Sequence, residues 1–392
     1  MITVEEARTI VMGEQWTMPD EQLPLEECHG RVLAGDVFAR HAFPLFDMSA
    51  VDGFAVGDGT GPWQVVGSLP AGDTFGRPLD AGEAVRIFTG AQVPEASHAV
   101  VMQERCTVHD AALSIEGEPP AAGANIRRRA EGHARGDLLL RGGTRLDMAA
   151  IGLLAADGVD AVPVAMAPVV GIIRTGGEFA DGSSAGPGRI FSSNEVMLSA
   201  AARAAGWPQE DHVYTVADLP SEIKATIFRA SLDCHLVITT GGVSVGEHDL
   251  LRSVLEDLGA EIHFHGVLQK PGKPMLFATV GHVPVFALPG NPRAVLVAWH
   301  VYVLPYIRAM QGMRDRDHGR DHLPMAHGLS LKGGRAEFRA ARVRGGKIEL
   351  LKDEGSHLLG SLTEADALAY FPHTMRQVES GDEVEVIHLH ER

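Results

Sequence analysis

The chain has 392 residues and a formal net charge of −17, with 34 Lys and Arg against 51 Asp and Glu. This excess of acid argues against a nucleic-acid backbone or an anionic membrane surface as the main partner. The length exceeds that of a usual single domain, and a hydrophobic content of 45% can build several cores. We therefore expect a multidomain protein. Its cationic residues are nevertheless clustered, at Arg127, Arg128 and Arg129 and at Lys270 and Lys273, and such local clusters on an acidic protein favour a small anionic ligand.

The cysteines and the N-terminus predict the compartment. Cys28, Cys106 and Cys234 lie far apart and form no CxxC pair, which is typical of a reducing environment. The N-terminus has acidic residues where a signal peptide needs basic ones. No apolar run approaches the roughly 20 residues of a membrane span. We expect a cytoplasmic protein without a membrane segment.

The N-terminal part of the chain mixes short helices with short strands. Thr3 and Glu6 have the spacing of a capping box before a first helix. A second helix is predicted at 25–33. From 54 to about 141, short apolar runs broken by Gly and Pro predict a small β-barrel or sandwich of about six strands. A further helix is predicted at 146–156.

The central part alternates strands with helices. The strands are predicted at 169–174, 214–216, 236–238, 275–280 and 283–288, and the helices at Ser192 onward, 219–230, 248–258 and after Pro292. Such alternation predicts an open α/β sheet, whose ligands bind at the carboxyl ends of the strands. After a charged linker at 313–321, alternating apolar and polar residues predict a small C-terminal β domain.

Two lysines stand on a stiff loop, Lys270-Pro-Gly-Lys273, in the same predicted sheet as Gly241, Gly242 and Asp249. Prolines lower the entropic cost of ordering the lysines around an anion. Carboxylates opposite such lysines suit a phosphate with a divalent cation between them. A solvated loop and a plain helix-dipole acid also fit these residues. No HExxH, GxGxxG, Walker or GxSxG motif is present, so we expect neither a zinc site nor a covalent nucleophile.

Taken together, nine segments resemble the molybdopterin molybdenumtransferase family of molybdenum-cofactor biosynthesis, to which the C-terminal part of gephyrin also belongs. They occur in the family's order and nearly from end to end. In one-letter code they are DMSAVDGFAV (47–56), RIFTGAQVP (86–94), VVMQE (100–104), NIRRRAEG (125–132), GDLLLRGGTRL (136–146), IIRTGGE (172–178), TTGGVSVGEHD (239–249), KPGKP (270–274) and LPGNP (288–292).

The resemblance implies a multidomain fold of α/β and β type. Its parts would be an N-terminal helical linker and dimerisation region (1–46 and 142–167), an inserted lid-like β domain (47–141), a central three-layer α/β molybdopterin-binding domain (168–312) and a C-terminal β-barrel (320–392). It also implies a homodimer, with a molybdopterin adenylyltransferase as a further partner.

The activity that the resemblance implies is Mg²⁺-dependent insertion of molybdate into adenylylated molybdopterin, with release of AMP. The residues that match catalytic positions are Asp52, Thr89, Glu178, Asp218, Asp249, Lys270 and Lys273, of which Glu178 and Asp249 would bind the metal. Those that match substrate-binding positions are Gly241, Gly242, Ser244, Pro289, Asn291, Arg339 and Ser356. For the oxyanion, Arg339 and Ser356 are preferred over Arg335 and Ser361.

The chain departs from the family pattern at three places. Gly177 and Gly132 stand where acidic residues are common, and Arg293-Ala294 stands where a serine is common. Two other functions stay open: an ATP-using molybdopterin adenylyltransferase and a non-catalytic molybdopterin-binding scaffold. The preference between molybdate and tungstate also stays open.

Overall fold

In the computed structural model, the described residues are 1–180, 186–207, 212–243, 250–314, 319–352, 355 and 358–390. The first helix, α1 (Val4–Gly13), begins with the predicted capping box. The Thr3 hydroxyl accepts from the Glu6 N–H at 3.1 Å, and the Glu6 carboxylate accepts from the Thr3 N–H at 2.7 Å. Two orphan donors of the first turn are thereby satisfied.

The helix predicted at 25–33 is wrong, because only a single 3₁₀ turn forms at Leu25–Glu27. The backbone beyond it pairs with the segment before the next helix: Leu33 N–H donates to Thr144 at 2.9 Å, and Leu146 N–H donates to Arg31 at 2.8 Å. Tertiary hydrogen bonds thus use the backbone groups that a helix would have used.

Two strands precede the inserted β domain and a helix and a strand follow it. The elements are β1 (Asp20–Pro24), β2 (Val37–Phe38), β3 (Met48–Ser49), β4 (Gly53–Val56), β5 (Trp63–Leu69), β6 (Glu83–Ile87), β7 (Ala99–Met102), β8 (Cys106–His109), β9 (Ala112–Ile115), β10 (Ile126–Arg127), β11 (Leu138–Leu140), α2 (Met148–Ala156) and β12 (Ala161–Ala165). Strands β7-β4-β6-β5-β9-β8 form one six-stranded sheet, as predicted. The pairs β2–β11 and β1–β12 join the outgoing chain to the returning chain.

The central domain is a three-layer α/β unit. Its elements are β13 (Val170–Thr175), α3 (Asn194–Ala204), β14 (Val213–Val216), α4 (Pro220–Asp233), β15 (Leu236–Thr240), α5 (Leu250–Asp257), β16 (Glu261–His265), β17 (Gln269–Lys270), β18 (Leu276–Val280), β19 (Val283–Leu288), α6 (Pro292–Ala298), a π-helix (Trp299–Val303) and α7 (Leu304–Met310). The sheet order is β14-β13-β15-β19-β18-β16, with the first four strands parallel. Apolar side chains of α4 and α5 cover one face, and those of α3, α6 and α7 cover the other.

The start of α3 differs from the prediction. Ser192 does not cap this helix; its hydroxyl instead donates to the Glu195 carboxylate. The N-cap position belongs to Ser193, whose side chain makes no cap bond. The serine–glutamate spacing was therefore that of a side-chain pair and not of a capping box.

The C-terminal domain is a small barrel. Its elements are β20 (Arg320–Pro324), β21 (Leu329–Ser330), β22 (Ala336–Arg344), β23 (Lys347–Leu350), α8 (Gly360–Thr363), β24 (Ala367–Phe371), β25 (Gln377–Val378) and β26 (Glu383–His388). Strands β23-β22-β24-β26-β20 pair in that order. Just after β20, Ala326 N–H donates to the Ile348 carbonyl of β23 at 2.9 Å, which closes the ring.

The α/β domain and the barrel share a core, and a strand also joins them. Val4 and Val11 of α1, Phe286 of β19 and Phe338 of β22 belong to one buried cluster. Strand β17 pairs in parallel with β22 of the barrel. The predicted fold class is confirmed, whereas the domain boundaries stay predictions. No helix in the described part of the chain has both the length and the apolar character needed to cross a membrane.

Candidate active site

The candidate site lies at the edge of the sheet where β13, β15 and β19 end and β18 begins. Gly241 follows β15 with a φ of +88°, and a Cβ there would lie 2.8 Å from the carbonyl oxygen of Thr175, at the end of β13. A Cβ on Gly290, after β19, would lie 3.6 Å from the Cα of Gly241. The loops that follow three parallel strands therefore meet at one edge, as the strand pattern predicts.

The lysine loop, residues 270–273, is held in place at this edge. Lys270 is exposed, while its backbone lies opposite Glu337 in the β17–β22 ladder. Lys273 is half-buried, and its carbonyl accepts from the Val267 N–H at 2.9 Å. Gly272 has a φ of +90°, and a Cβ there would lie 2.8 Å from Nε2 of Gln269. Glycine is needed at this position both for backbone conformation and for space.

A cavity of about 210 Å³ opens beside this loop, between the α/β domain and the barrel. Its lining residues are Lys270, Pro271, Arg293, Glu337, Phe338, Arg339 and Gly355. Arg339 donates from Nε and Nη2 to one Glu337 oxygen, at 2.9 and 2.6 Å. The structure thus places the predicted Arg339 at the cavity, whereas Arg335 is exposed and is not a lining residue.

Arg293 is a lining residue that sequence reasoning missed. It is only 2% exposed, and its Nη1 donates to Ser361 Oγ at 3.0 Å and to the Leu358 carbonyl at 3.3 Å. The first turn of α6 is thereby tied to a segment of the barrel. The available signal was a cation directly after the LPGNP segment, where the family commonly has a serine nearby.

Other predicted substrate-binding residues serve the loops themselves. Asn291 caps α6 and accepts from the Arg293 N–H at 3.2 Å, and Pro289 is buried. Asn194, which the sequence did not single out, donates to the Gly290 carbonyl at 2.9 Å and joins the start of α3 to the same loop. These contacts fix the shape of the loop that follows β19.

Of the two predicted metal ligands, Glu178 and Asp249, the structure describes only Glu178. Glu178 and Asp218 follow the neighbouring parallel strands β13 and β14, and both are exposed. Neither carboxylate forms an ion pair with a residue that the structure describes. Asp249, Ser244 and Ser356 lie outside the described residues. Within the described ranges, no group of three or more His, Cys, Asp and Glu is placed to hold a metal. Two such carboxylates still fit Mg²⁺, which commonly uses one or two carboxylates together with substrate phosphates.

Asp52 and Thr89 form a separate pair on the inserted β domain. One Asp52 oxygen accepts from the Thr89 N–H at 2.7 Å and from its hydroxyl at 2.8 Å. These bonds lower the pKa of Asp52 below its usual value. Both residues are exposed, and neither lines the cavity beside the lysine loop. The structure joins the predicted pair but does not bring it to Lys270 within the same chain.

Three family models match the chain in order. They describe the MoeA N-terminal region (domain I and II) over residues 2–158, a "Probable molybdopterin binding domain" over 171–309 and the MoeA C-terminal region (domain IV) over 322–389. The molybdopterin molybdenumtransferase of Haemophilus influenzae is 31% identical over 400 residues, which cover 98% of each chain. The chain belongs to the molybdopterin molybdenumtransferase family. The enzyme of that name from Nostoc is 34% identical, over 94% of this chain and 88% of its own.

A solved structure supports the same assignment. The molybdopterin biosynthesis MoeA protein of Pyrococcus horikoshii has a TM-score of 0.83 and 27% identity, over 99% of this chain and 100% of that chain. The predicted membership of the molybdenumtransferase family is confirmed, and with it a transferase of molybdenum-cofactor biosynthesis. The individual site residues, the magnesium ion and the homodimer stay predictions.

Proposed function

We propose that this member of the molybdenumtransferase family inserts molybdate into adenylylated molybdopterin and releases AMP. The cavity of about 210 Å³ with Lys270, Arg293 and Arg339 in its wall carries the proposal. Molybdate, the molybdopterin phosphate and the adenylate are all anions. Fixed cations in a partly closed site stabilise such charges without reorganising during the reaction.

Each cation has its own task in this proposal. Lys270 and Lys273 bind the phosphates at the open edge of the sheet, where the ladder with β22 keeps the loop in place. Arg339, whose orientation is set by Glu337, binds the oxyanion. Arg293, through Ser361, keeps the barrel segment against the cavity.

Glu178 and Asp249 would hold Mg²⁺, with Asp218 as the next candidate ligand. Bound there, Mg²⁺ supplies positive charge to the phosphate oxygens of the adenylylated substrate. The ends of β13 and β14 hold the two described carboxylates at the edge that also carries the lysine loop. Asp249→Asn should abolish the response of AMP release to Mg²⁺ while leaving the stability of the protein nearly unchanged.

The functional unit is proposed to be a homodimer in which Asp52 and Thr89 of one protomer complete the partner's site. Their exposure, and their position away from the cavity of their own chain, support this arrangement. A mixture of Asp52→Ala and Lys273→Ala chains should recover activity, because one cleft of each heterodimer would be intact. Absence of recovery would mean that a single chain builds each site. A molybdopterin adenylyltransferase that supplies the substrate is the further partner that we propose.

The deciding experiment is incubation with adenylylated molybdopterin, molybdate and Mg²⁺, followed by measurement of AMP. AMP release should depend on molybdate. Lys270→Ala should weaken the binding of adenylylated molybdopterin by about 1.5–3 kcal/mol, the contribution of a hydrogen bond to a charged group. Lys332→Ala, at an exposed barrel position away from the cavity, is the matched control. Consumption of ATP would instead identify an adenylyltransferase. Retention of molybdopterin without AMP release would identify a scaffold.

A further inference from the structure

A buried chain of hydrogen bonds runs from the π-helix to the lysine loop. Tyr302, which is 1% exposed, lies within the π-helix and donates its hydroxyl to Oε1 of Gln269. Gln269 is fully buried, and its Nε2 donates to the Pro271 carbonyl at 3.0 Å. The loop that carries Lys270 and Lys273 is therefore connected to a buried side chain that does not line the cavity beside the loop.

The chemistry of the groups determines the orientation of the Gln269 amide. The Pro271 oxygen can only accept, so the NH₂ group must face it. The amide oxygen then faces Tyr302, whose hydroxyl must donate. Because the Gln269 amide is buried, water cannot easily replace either partner. An amide oxygen or NH₂ group left without a partner there would be costly. Single π turns are uncommon and frequently lie at functional sites.

We infer that Tyr302 and Gln269 are positioning residues that keep the lysine loop in its anion-binding shape, an inference that rests on the proposed function. Without the Tyr302 hydroxyl, the Gln269 amide oxygen loses its hydrogen-bond donor. The amide is then less well oriented, and its hydrogen bond to the Pro271 carbonyl weakens. The loop then samples other conformations, and Lys270 and Lys273 are no longer held in the binding geometry before the ligand arrives. Such loss of preorganisation weakens binding without removing any charge from the site.

The chain offers a matched control in Tyr306. This residue also is fully buried and lies four positions further along the same helical segment. Its hydroxyl donates to the Glu14 carbonyl at 2.9 Å and not to the lysine loop. Both Tyr→Phe changes delete one buried hydroxyl, so their structural costs should be similar. Only Tyr302→Phe should disturb the loop.

The first measurement is steady-state AMP release in both variants. Tyr302→Phe should raise KM for adenylylated molybdopterin about tenfold with a smaller change in kcat, the effect of losing about one buried hydrogen bond. Tyr306→Phe should leave KM unchanged. The double variant Tyr302→Phe with Gln269→Leu removes the amide oxygen that Tyr302→Phe leaves without a donor, but the Pro271 carbonyl then lacks its donor too, so KM should stay raised. Equal KM values in the two single variants, or a double variant with the wild-type KM, would overturn the inference.

The second measurement needs no activity. Hydrogen exchange of the Lys270, Gly272 and Lys273 amides should speed up in Tyr302→Phe and not in Tyr306→Phe. Unchanged exchange in both variants would refute the positioning role whatever the kinetics. If the wild-type protein releases no AMP, the proposed function fails, while the exchange result still decides whether Tyr302 orders the loop.

Discussion

Replacement of Asp157 by Ala should loosen the base of the inserted β domain. Asp157 is 1% exposed, and its carboxylate accepts from the Arg40 N–H at 2.7 Å and from the His41 N–H at 3.0 Å. Arg40 and His41 lie on the chain that enters the inserted domain, whereas Asp157 follows α2 after the chain has returned. The Asp157 carboxylate thus connects the segment that enters the inserted β domain to the segment that follows its return. That domain carries Asp52 and Thr89.

The size of the effect follows from these two bonds. A hydrogen bond to a charged group contributes about 1.5–3 kcal/mol. Arg40 and His41 are exposed, so water can reach their N–H groups in the variant, and the lower end applies. The expected loss is about 3 kcal/mol for Asp157→Ala. Asp147→Ala is the control in the same helix, because Asp147 only caps α2, through one bond of 2.8 Å to the Ala150 N–H, and such a cap contributes about 1 kcal/mol.

The loss should also depend on pH in a defined direction. Burial by itself would raise the pKa of Asp157, but hydrogen bonds from the Arg40 and His41 backbones outweigh it and lower the pKa below its usual 3.8. A lowered pKa contributes stability that is complete above the unfolded value and is lost as pH falls through the folded value. The difference between wild type and Asp157→Ala should therefore be constant from pH 7 to 5 and shrink below about pH 4.

Because the protein has several domains, local opening is a better measure than a single melting temperature. Hydrogen exchange and limited proteolysis of 36–46 and 131–141 should both accelerate in Asp157→Ala and much less in Asp147→Ala. Equal protection of these segments in wild type and Asp157→Ala would refute the reasoning. A difference that already changes between pH 7 and 6 would also contradict it.

Three further outcomes are expected. Arg293→Met should raise KM for molybdate about tenfold in the AMP assay, because the bonds that hold Ser361 and its segment at the cavity are lost. Ala130→Gly should stabilise the protein by about 0.5–1 kcal/mol in thermal denaturation, since Ala130 has a φ of +64° and glycine adopts this conformation without strain. In the native protein near pH 8, iodoacetamide should label half-exposed Cys106 before Cys234, because burial raises the pKa of the Cys234 thiol to about 11.

Controls accompany the first two of these outcomes. Ser361→Ala removes only one acceptor of Arg293, so its effect on KM should be smaller than that of Arg293→Met. Ala155→Gly, at an exposed position inside α2, should destabilise the protein by about 1 kcal/mol. An unchanged KM for Arg293→Met, a lower stability for Ala130→Gly or equal labelling rates for the two cysteines would each contradict its prediction.

Local patterns predicted the central sheet well. The strand at 236–238, its Thr-Gly-Gly end and the helix from 219 onward agree with β15, Gly241 and α4. Such features depend on side-chain period and on turn residues within a few positions, which are visible in the sequence. The helix at 25–33 failed because its competing partners lie more than a hundred residues away.

The sequence by itself determined the family, the order of the elements and the presence of an ordered lysine loop, because these are properties of local patterns and of matched segments. Only the tertiary structure decided what holds that loop and what faces it. Gln269 and Tyr302 meet across 33 positions, and Arg293 and Ser361 across 68. Residues so far apart come together only when α6, the π-helix and the barrel pack on one core, and each is unremarkable in its own neighbourhood. The Asp52–Thr89 pair spans 37 positions, and local patterns do not predict its hydrogen bonds either. Such a long-range contact depends on which surfaces the whole chain can bury together.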